Sequence, residues 1–120
     1  MNYPANVVSI HPYFKVHPGR FEAFKALLPA FVQATTAEPA NLFYEFTLNG
    51  DEVFCREAYV GGAGVLAHLA NVGTLLGEAL KLAALTRLEI HGPAAELEQL
   101  HGAFSGLKPV WFNLECGVRR

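Results

Sequence analysis

The stretch Tyr44–His68, YEFTLNGDEVFCREAYVGGAGVLAH, decides how the rest of the chain is read. Two β-prone runs, Leu42–Leu48 and Glu52–Val60, flank Asn49-Gly50-Asp51. Asn-Gly tolerates positive φ at both central positions of a tight turn and is a strong short-range hairpin signal. A two-residue Asn49-Gly50 loop sets Tyr44 opposite Cys55, with Glu57 one pair further along. A slip of one residue would turn one strand over. In this register Tyr44, Cys55, Glu57 and Tyr59 share one face. Phe43, Glu45, Phe54 and Arg56 share the other, with Glu45 and Arg56 as diagonal neighbours able to pair. The second half reads as a helix from near Ala63 that lays Val65, His68 and Leu69 across the first face. Between hairpin and helix these residue types predict a small pocket, mostly apolar with a few polar groups.

Outward from that stretch, Val7–Val16 reads as a strand, with Val8, Ile10, Pro12 and Phe14 alternating with Val7, Ser9, His11 and Tyr13. Both sets are apolar enough to need cover. Pro12 lacks a backbone donor and marks an edge, a bulge or a frayed end. Pro18 is expected to open a helix, where a missing N–H costs nothing. Phe21, Phe24, Leu28, Phe31 and Val32 then recur at helical spacing, Pro29 is expected to kink the helix, and Pro39 follows its end. In the second helix Val65, His68, Leu69, Val72 and Leu76 form one stripe. Gly73 is expected to break it, leaving a separate segment Thr74–Leu82. Leu85–His91 reads as a strand, AAELEQLH over 94–101 as a short helix stopped by Gly102, and Val110–Cys116 as a last strand with Trp111, Asn113 and Glu115 on one face. The order is β-α-β-β-α-β plus a helix and a strand. This predicts an α+β fold, a ferredoxin-like split βαβ with an antiparallel sheet and helices on one face. The other face would carry Val7, His11, Tyr13, Phe43 and Phe54, too apolar for water, so the sheet of a second copy is expected to cover it.

The 120 residues suffice for one domain, with a core over about 7–92 and an extension over 93–120. Charged residues make up 17% against 52% hydrophobic, fewer charges than the roughly 25% of a typical soluble domain. The net charge of −2 and scattered basic residues, with only Arg119-Arg120 adjacent, argue against nucleic acid. The N-terminus lacks the charged start and apolar run of a signal peptide. The uncharged run Val60–Gly77 holds four glycines up to Gly73 and a fifth at Gly77, and reads as a poor membrane span. Cys55 and Cys116 are too few for a disulfide framework or metal knuckle. A cytoplasmic protein with two free thiols is the expectation.

The pattern Tyr44-Glu45, then Glu57-x-Tyr59, then Ala67-His68-Leu69 resembles the signature of the antibiotic biosynthesis monooxygenase domain family. The Pro18-Gly19 opening after an apolar first strand fits it too, and the resemblance covers roughly Val7–Leu88. It implies a dimeric α+β barrel, two ferredoxin-like subunits packed sheet to sheet, each with a cavity between sheet and helices. It also implies either cofactor-independent oxygenation of quinols and polyketide-like phenols or haem degradation. This sequence departs from the family pattern in having Tyr59 where a Trp is usual. It also departs from the haem-degrading members, whose strand Asn falls near Pro12.

Facing the hairpin, His68 is a candidate general base, haem ligand or substrate hydrogen-bond donor. The alternative is a core histidine satisfied by a backbone carbonyl or by Glu57. An inward Glu57 is costly unless paired. Burial would raise its pKa, which suits proton abstraction from a phenol or enol; a structural hydrogen bond is the alternative. Tyr44 and Tyr59 can orient a ligand or serve as core aromatics. Cys55 and Val65 would add to the wall, although Cys55 has no evident activating base. Trp111 can line the pocket, join the dimer contact or simply pack, and His11 and His91 are expected at the interface or in the core. No phosphate-binding loop, nucleophile elbow or metal-ligand spacing occurs, and glycines 61, 62 and 64 read as a flexible strand-to-helix turn. The function expected is a cofactor-free monooxygenase with His68 and Glu57 as proton-transfer groups, needing no metal. The alternatives are a small-molecule or haem binder without catalysis, or an accessory dimer without ligand.

Overall fold

The computed structural model describes residues 4–119, so Met1–Tyr3 and Arg120 lie outside the described residues. The elements are β1 (Val7–Val16), α1 (Phe21–Thr35), β2 (Asn41–Asn49), β3 (Glu52–Val60), α2 (Gly61–Leu82), β4 (Ala83–Gly92), α3 (Ala94–Glu98), a 3₁₀ turn (Ser105–Leu107) and β5 (Val110–Asn113). The sheet order is β2-β3-β1-β4-β5. The first four strands pair antiparallel in the ferredoxin-like arrangement. The extra C-terminal strand makes the sheet mixed. The α3 crossover returns the chain so that β5 runs parallel to β4. The C-terminal elements are also shorter than the 94–101 helix and 110–116 strand read from sequence.

Along β1, Val8, Ile10, Phe14 and Val16 face the core. Pro12 sits in this central strand, not at an edge. The ladder with β3 lacks pairs at His11 and Pro12, and the pairing with β4 shifts register between Tyr13 and Phe14. Those irregularities accommodate the missing donor. α1 begins at Phe21 rather than Pro18, because Gly19 at φ +77° is outside helical space, and it continues through Pro29 to Thr35.

The hairpin turns one residue later than predicted. Asn49 pairs with Glu52, leaving Gly50-Asp51 as the loop, with Gly50 at φ +61°. Positive φ at the first loop position alone fits a type II′ turn. Asp51 is further fixed by Lys15 Nζ at 2.9 Å and by its carbonyl accepting from the Val16 N–H. Tyr44 therefore opposes Glu57, and Phe46 opposes Cys55. The shift is two positions, so each side chain keeps its predicted face. On the open face Glu45 lies directly across from Arg56, at 3.0 Å, instead of diagonally.

Gly73 does not break α2, which runs unbroken for 22 residues. An interior glycine costs about 1 kcal/mol. The buried stripe Val65, His68, Val72 and Ala79 continues on both sides of it and outweighs that cost. By length and composition alone α2 just reaches what a membrane-crossing helix needs, as core helices also can, and its buried stripe packs on the sheet. The glycines at its start are contact points rather than slack. A Cβ on Gly62 would lie 2.7 Å from the Glu96 carbonyl, and one on Gly64 would lie 2.9 Å from the Ala40 Cβ.

Two apolar clusters fill the space between sheet and helices. One gathers Val8, Ile10, Tyr59, Val65, Ile90, Leu97 and Leu100, and the other Phe14, Phe24, Phe31, Val53 and Val72. A cavity bordered by members of both lies where they meet.

Candidate active site

β-strand alternation turns Cys55, Glu57 and Tyr59 inward on β3, and Tyr44 beside them on β2. His68, two helical turns into α2, is held over them. Its ring centroid lies 5.1 Å from that of Tyr44 and 4.9 Å from that of Tyr59. His68 and Glu57 are each only 5% exposed. His68 Nδ1 lies 2.8 and 3.1 Å from the two carboxyl oxygens of Glu38. Its Nε2 lies 3.6 Å from Glu57 Oε1, just beyond hydrogen-bond length. The Tyr59 hydroxyl donates to that same Glu57 oxygen at 2.6 Å. Asn71 Nδ2 donates to Glu38 Oε2 and to the Ala34 carbonyl, each at 2.8 Å, which fixes Glu38 in turn.

Burial sets the protonation of this cluster. Loss of water pushes the Glu57 carboxyl up to about 7. Hydrogen bonds from Tyr59 and Cys55 oppose the rise, and the charge of Glu38 adds to it. Burial also lowers His68, against the opposing pull of Glu38. Burial first, then neighbouring groups, raises Tyr44, Cys55 and Tyr59, so all three keep their protons and Cys55 stays a thiol. A neutral His68 that donates through Nδ1 to Glu38 turns the Nε2 lone pair toward Glu57 and the cavity. One wall thus holds a proton acceptor and, in Glu57, a carboxyl that exchanges its proton near neutral pH.

The cavity has about 70 Å³ open to the centre of a water molecule, several times the roughly 10–15 Å³ that one water needs. Tyr44, Cys55, Glu57 and His68 supply its polar wall, and aliphatic and phenylalanine side chains supply the rest. Of the residues expected at the site, those four line the cavity. Tyr59 stands behind the wall and donates to Glu57. Val65 is buried in the first apolar cluster without reaching the cavity. Trp111 is also off the wall. It packs beside His101 at 4.4 Å and edge-on to Phe104 at 6.3 Å between ring centroids. Sequence reasoning missed Glu38, which sits in an aperiodic loop. It also missed Asn71, although a polar residue three positions beyond His68 shares its helix face. Among the described residues, no three His, Cys, Asp or Glu side chains gather as a metal-binding group.

The sequence matches no family model and no curated protein. Solved structures do match it. MupZ from Pseudomonas fluorescens is 40% identical with a TM-score of 0.89, over 95% of this chain and 94% of that one. Rv0793 from Mycobacterium tuberculosis is 23% identical with a TM-score of 0.65, over 72% of this chain and 94% of its own. An antibiotic biosynthesis monooxygenase is 15% identical with a TM-score of 0.61, over 69% and 92%. The last two share the fold and leave more than a quarter of this chain unmatched. By its identity to MupZ over nearly the full length of both, the chain belongs to the MupZ family, on the fold of the antibiotic biosynthesis monooxygenases.

Proposed function

We propose that this protein is an enzyme that moves protons on a small, largely apolar, hydroxyl-bearing substrate, phenol-, quinol- or polyketide-like, without a resident cofactor. The observation that carries this reading is the buried pair His68–Glu57, 3.6 Å apart on the wall of an apolar cavity. His68, oriented by Glu38, is the base; Glu57 is its acid partner; Tyr44 and Tyr59 position substrate and Glu57 respectively. The reaction class suggested by the fold neighbours is monooxygenation. Ground-state O₂ reacts poorly with closed-shell molecules, but a deprotonated, electron-rich substrate can supply the electrons itself. A ring CH₂ then becomes C=O, one oxygen atom entering the substrate and the other leaving as water. The cavity contributes orientation and the exclusion of water.

A second reading is favoured by Glu57 being held near neutrality as a proton donor. An acid and a base side by side suit a redox-neutral step, in which His68 deprotonates a hydroxyl and Glu57 protonates the oxygen that leaves or opens elsewhere on the same molecule. We also propose a homodimer through the open sheet face, where Phe43 is 42% exposed and the Tyr13 and Phe54 rings lie 4.7 Å apart.

One experiment separates the readings. A panel of quinols, phenols and hydroxylated ketones is incubated in air and under argon, with oxygen uptake and product mass recorded. Uptake with oxygen gained by the product supports monooxygenation. Conversion under argon, at equal mass or with loss of one water, supports the redox-neutral step. Wild type no faster than His68→Ala throughout would refute both for that panel.

A further inference from the structure

We propose that the segment after Gly92 forms the far wall of the cavity, and that Phe104 and Leu107 decide which apolar group fits beside the His68–Glu57 pair. This rests on the reading above that the cavity holds a hydroxyl-bearing apolar molecule. The strand register gives the layout. Glu57 on β3 and Ile90 on β4 both pair with Ile10 of β1, and Leu88 pairs with Pro12. From Glu57 to β4 the cavity therefore crosses two strand spacings, about 10 Å. At its β4 side the lining side chains include Leu88, Phe104 and Leu107. The last two come from the crossover between α3 and β5, which the sequence presents only as an aperiodic AFSGLKP.

That crossover is anchored rather than loose. Leu97 and Leu100 are 1% and 0% exposed within the first apolar cluster, and Phe104 is 2% exposed. The Gly62 N–H, at the start of the helix that carries His68, donates to Glu96 Oε1 at 2.8 Å. Backbone bonds from Phe104 N–H to the Leu100 carbonyl (3.1 Å) and from Leu107 N–H to the Phe104 carbonyl (2.9 Å) fix the two wall residues. Lys108, left-handed at φ +52°, turns the chain away immediately afterwards. A polar anchor on one side and a fixed apolar wall about two strand spacings away select a ligand with a hydroxyl at one end and an apolar arm at the other. The arm has a length limit set by Phe104 and Leu107.

Para-alkylphenols from ethyl to octyl provide the probe, with affinity measured by calorimetry on the whole chain. Trp111, the only tryptophan, is edge-on to Phe104 and reports through its emission when the arm reaches the wall. In wild type, affinity is expected to rise about fourfold per buried CH₂ and then fall sharply past a cut-off length. Leu107→Ala is expected to move that cut-off to a longer arm while leaving the shortest homologues within about twofold, and Phe104→Leu to do the same in a second, independently folded variant. Binding with an unmoved cut-off in both variants overturns the wall while sparing the cavity reading. No binding of any homologue by wild type overturns both.

Discussion

On the helix-covered side of the sheet His68 stands between Glu38 and Glu57; on the open side His91 stands between Glu89 and the ring of His11. The parts are alike. His91 Nε2 lies 3.0 Å from Glu89 Oε1, and the His11 and His91 rings are 4.6 Å apart. Yet Glu89 is pulled below the ordinary carboxyl range by hydrogen bonds from His91 and Arg87, while Glu57 is pushed up to about 7 by burial. A histidine neighbour does not by itself fix a carboxyl's state: lost water raises Glu57, whereas at Glu89 the hydrogen bonds of His91 and Arg87 outweigh the smaller loss of water. Only the dry cluster holds an acid near neutrality beside a base.

The sharpest break between the two clusters is expected in turnover. On any substrate the panel identifies, His68→Asn should lower kcat/KM by about 10²–10⁴-fold, the usual worth of a positioned proton-transfer group. His91→Asn should leave it within about twofold. Equal losses in the two variants would remove the distinction.

Next in size is stability against pH. Glu57 has a folded pKa above its unfolded value of 4.5, so its contribution is fully present below that value and is lost as pH rises toward about 7. The loss totals about 3 kcal/mol. His68, lowered on folding, acts the other way, and its contribution is lost as pH falls through its folded pKa, below 6.5. Glu57→Gln keeps an acceptor for Tyr59 and removes the charge. In urea unfolding across this range it should abolish the decline toward neutral pH. Glu89→Gln should instead remove a contribution that wild type loses only in acid. A decline that persists in Glu57→Gln would place its origin elsewhere.

How much of this could be read from the chain follows from period. β-strands alternate strictly, so the inward set Tyr44, Cys55 and Glu57 was legible even with the turn misplaced by one residue, because the resulting two-position shift preserves faces. Helical spacing placed His68 over them. Gly73 was misjudged because local propensity is weighed without the packing that overrides it. Glu38 and the Phe104–Leu107 wall lie in loops with no period, and their roles come from side chains far away in sequence. For Trp111, composition gave its rarity but not its neighbours.

The open face gives the next comparison. His11, Tyr13 and Phe54 form a contiguous aromatic patch, with ring centroids 4.7–6.1 Å apart, where the inner face has a cavity. If a second copy covers that patch, Phe54→Asp should weaken association by about 30-fold or more, the scale of a buried aromatic contact of about 2 kcal/mol. Sedimentation across a concentration series would show it. A wild type that stays monomeric at the highest concentration would end the dimer proposal.

The smallest expected effect lies one residue from the largest cluster. Arg56 neighbours Glu57 in sequence but points to the opposite face, pairing with Glu45 with side chains 60% and 56% exposed. In the isolated chain such a pair contributes about 0.2–1 kcal/mol and weakens with salt. Arg56→Met should therefore cost about 0.5 kcal/mol in thermal or urea unfolding, and less at high ionic strength. A cost well above 1 kcal/mol that resists salt would mean that the pair has lost its water to a covering partner. Measured below and above the concentration at which copies associate, this one variant tells whether the open face stays wet in solution, which is the condition that separates the two clusters.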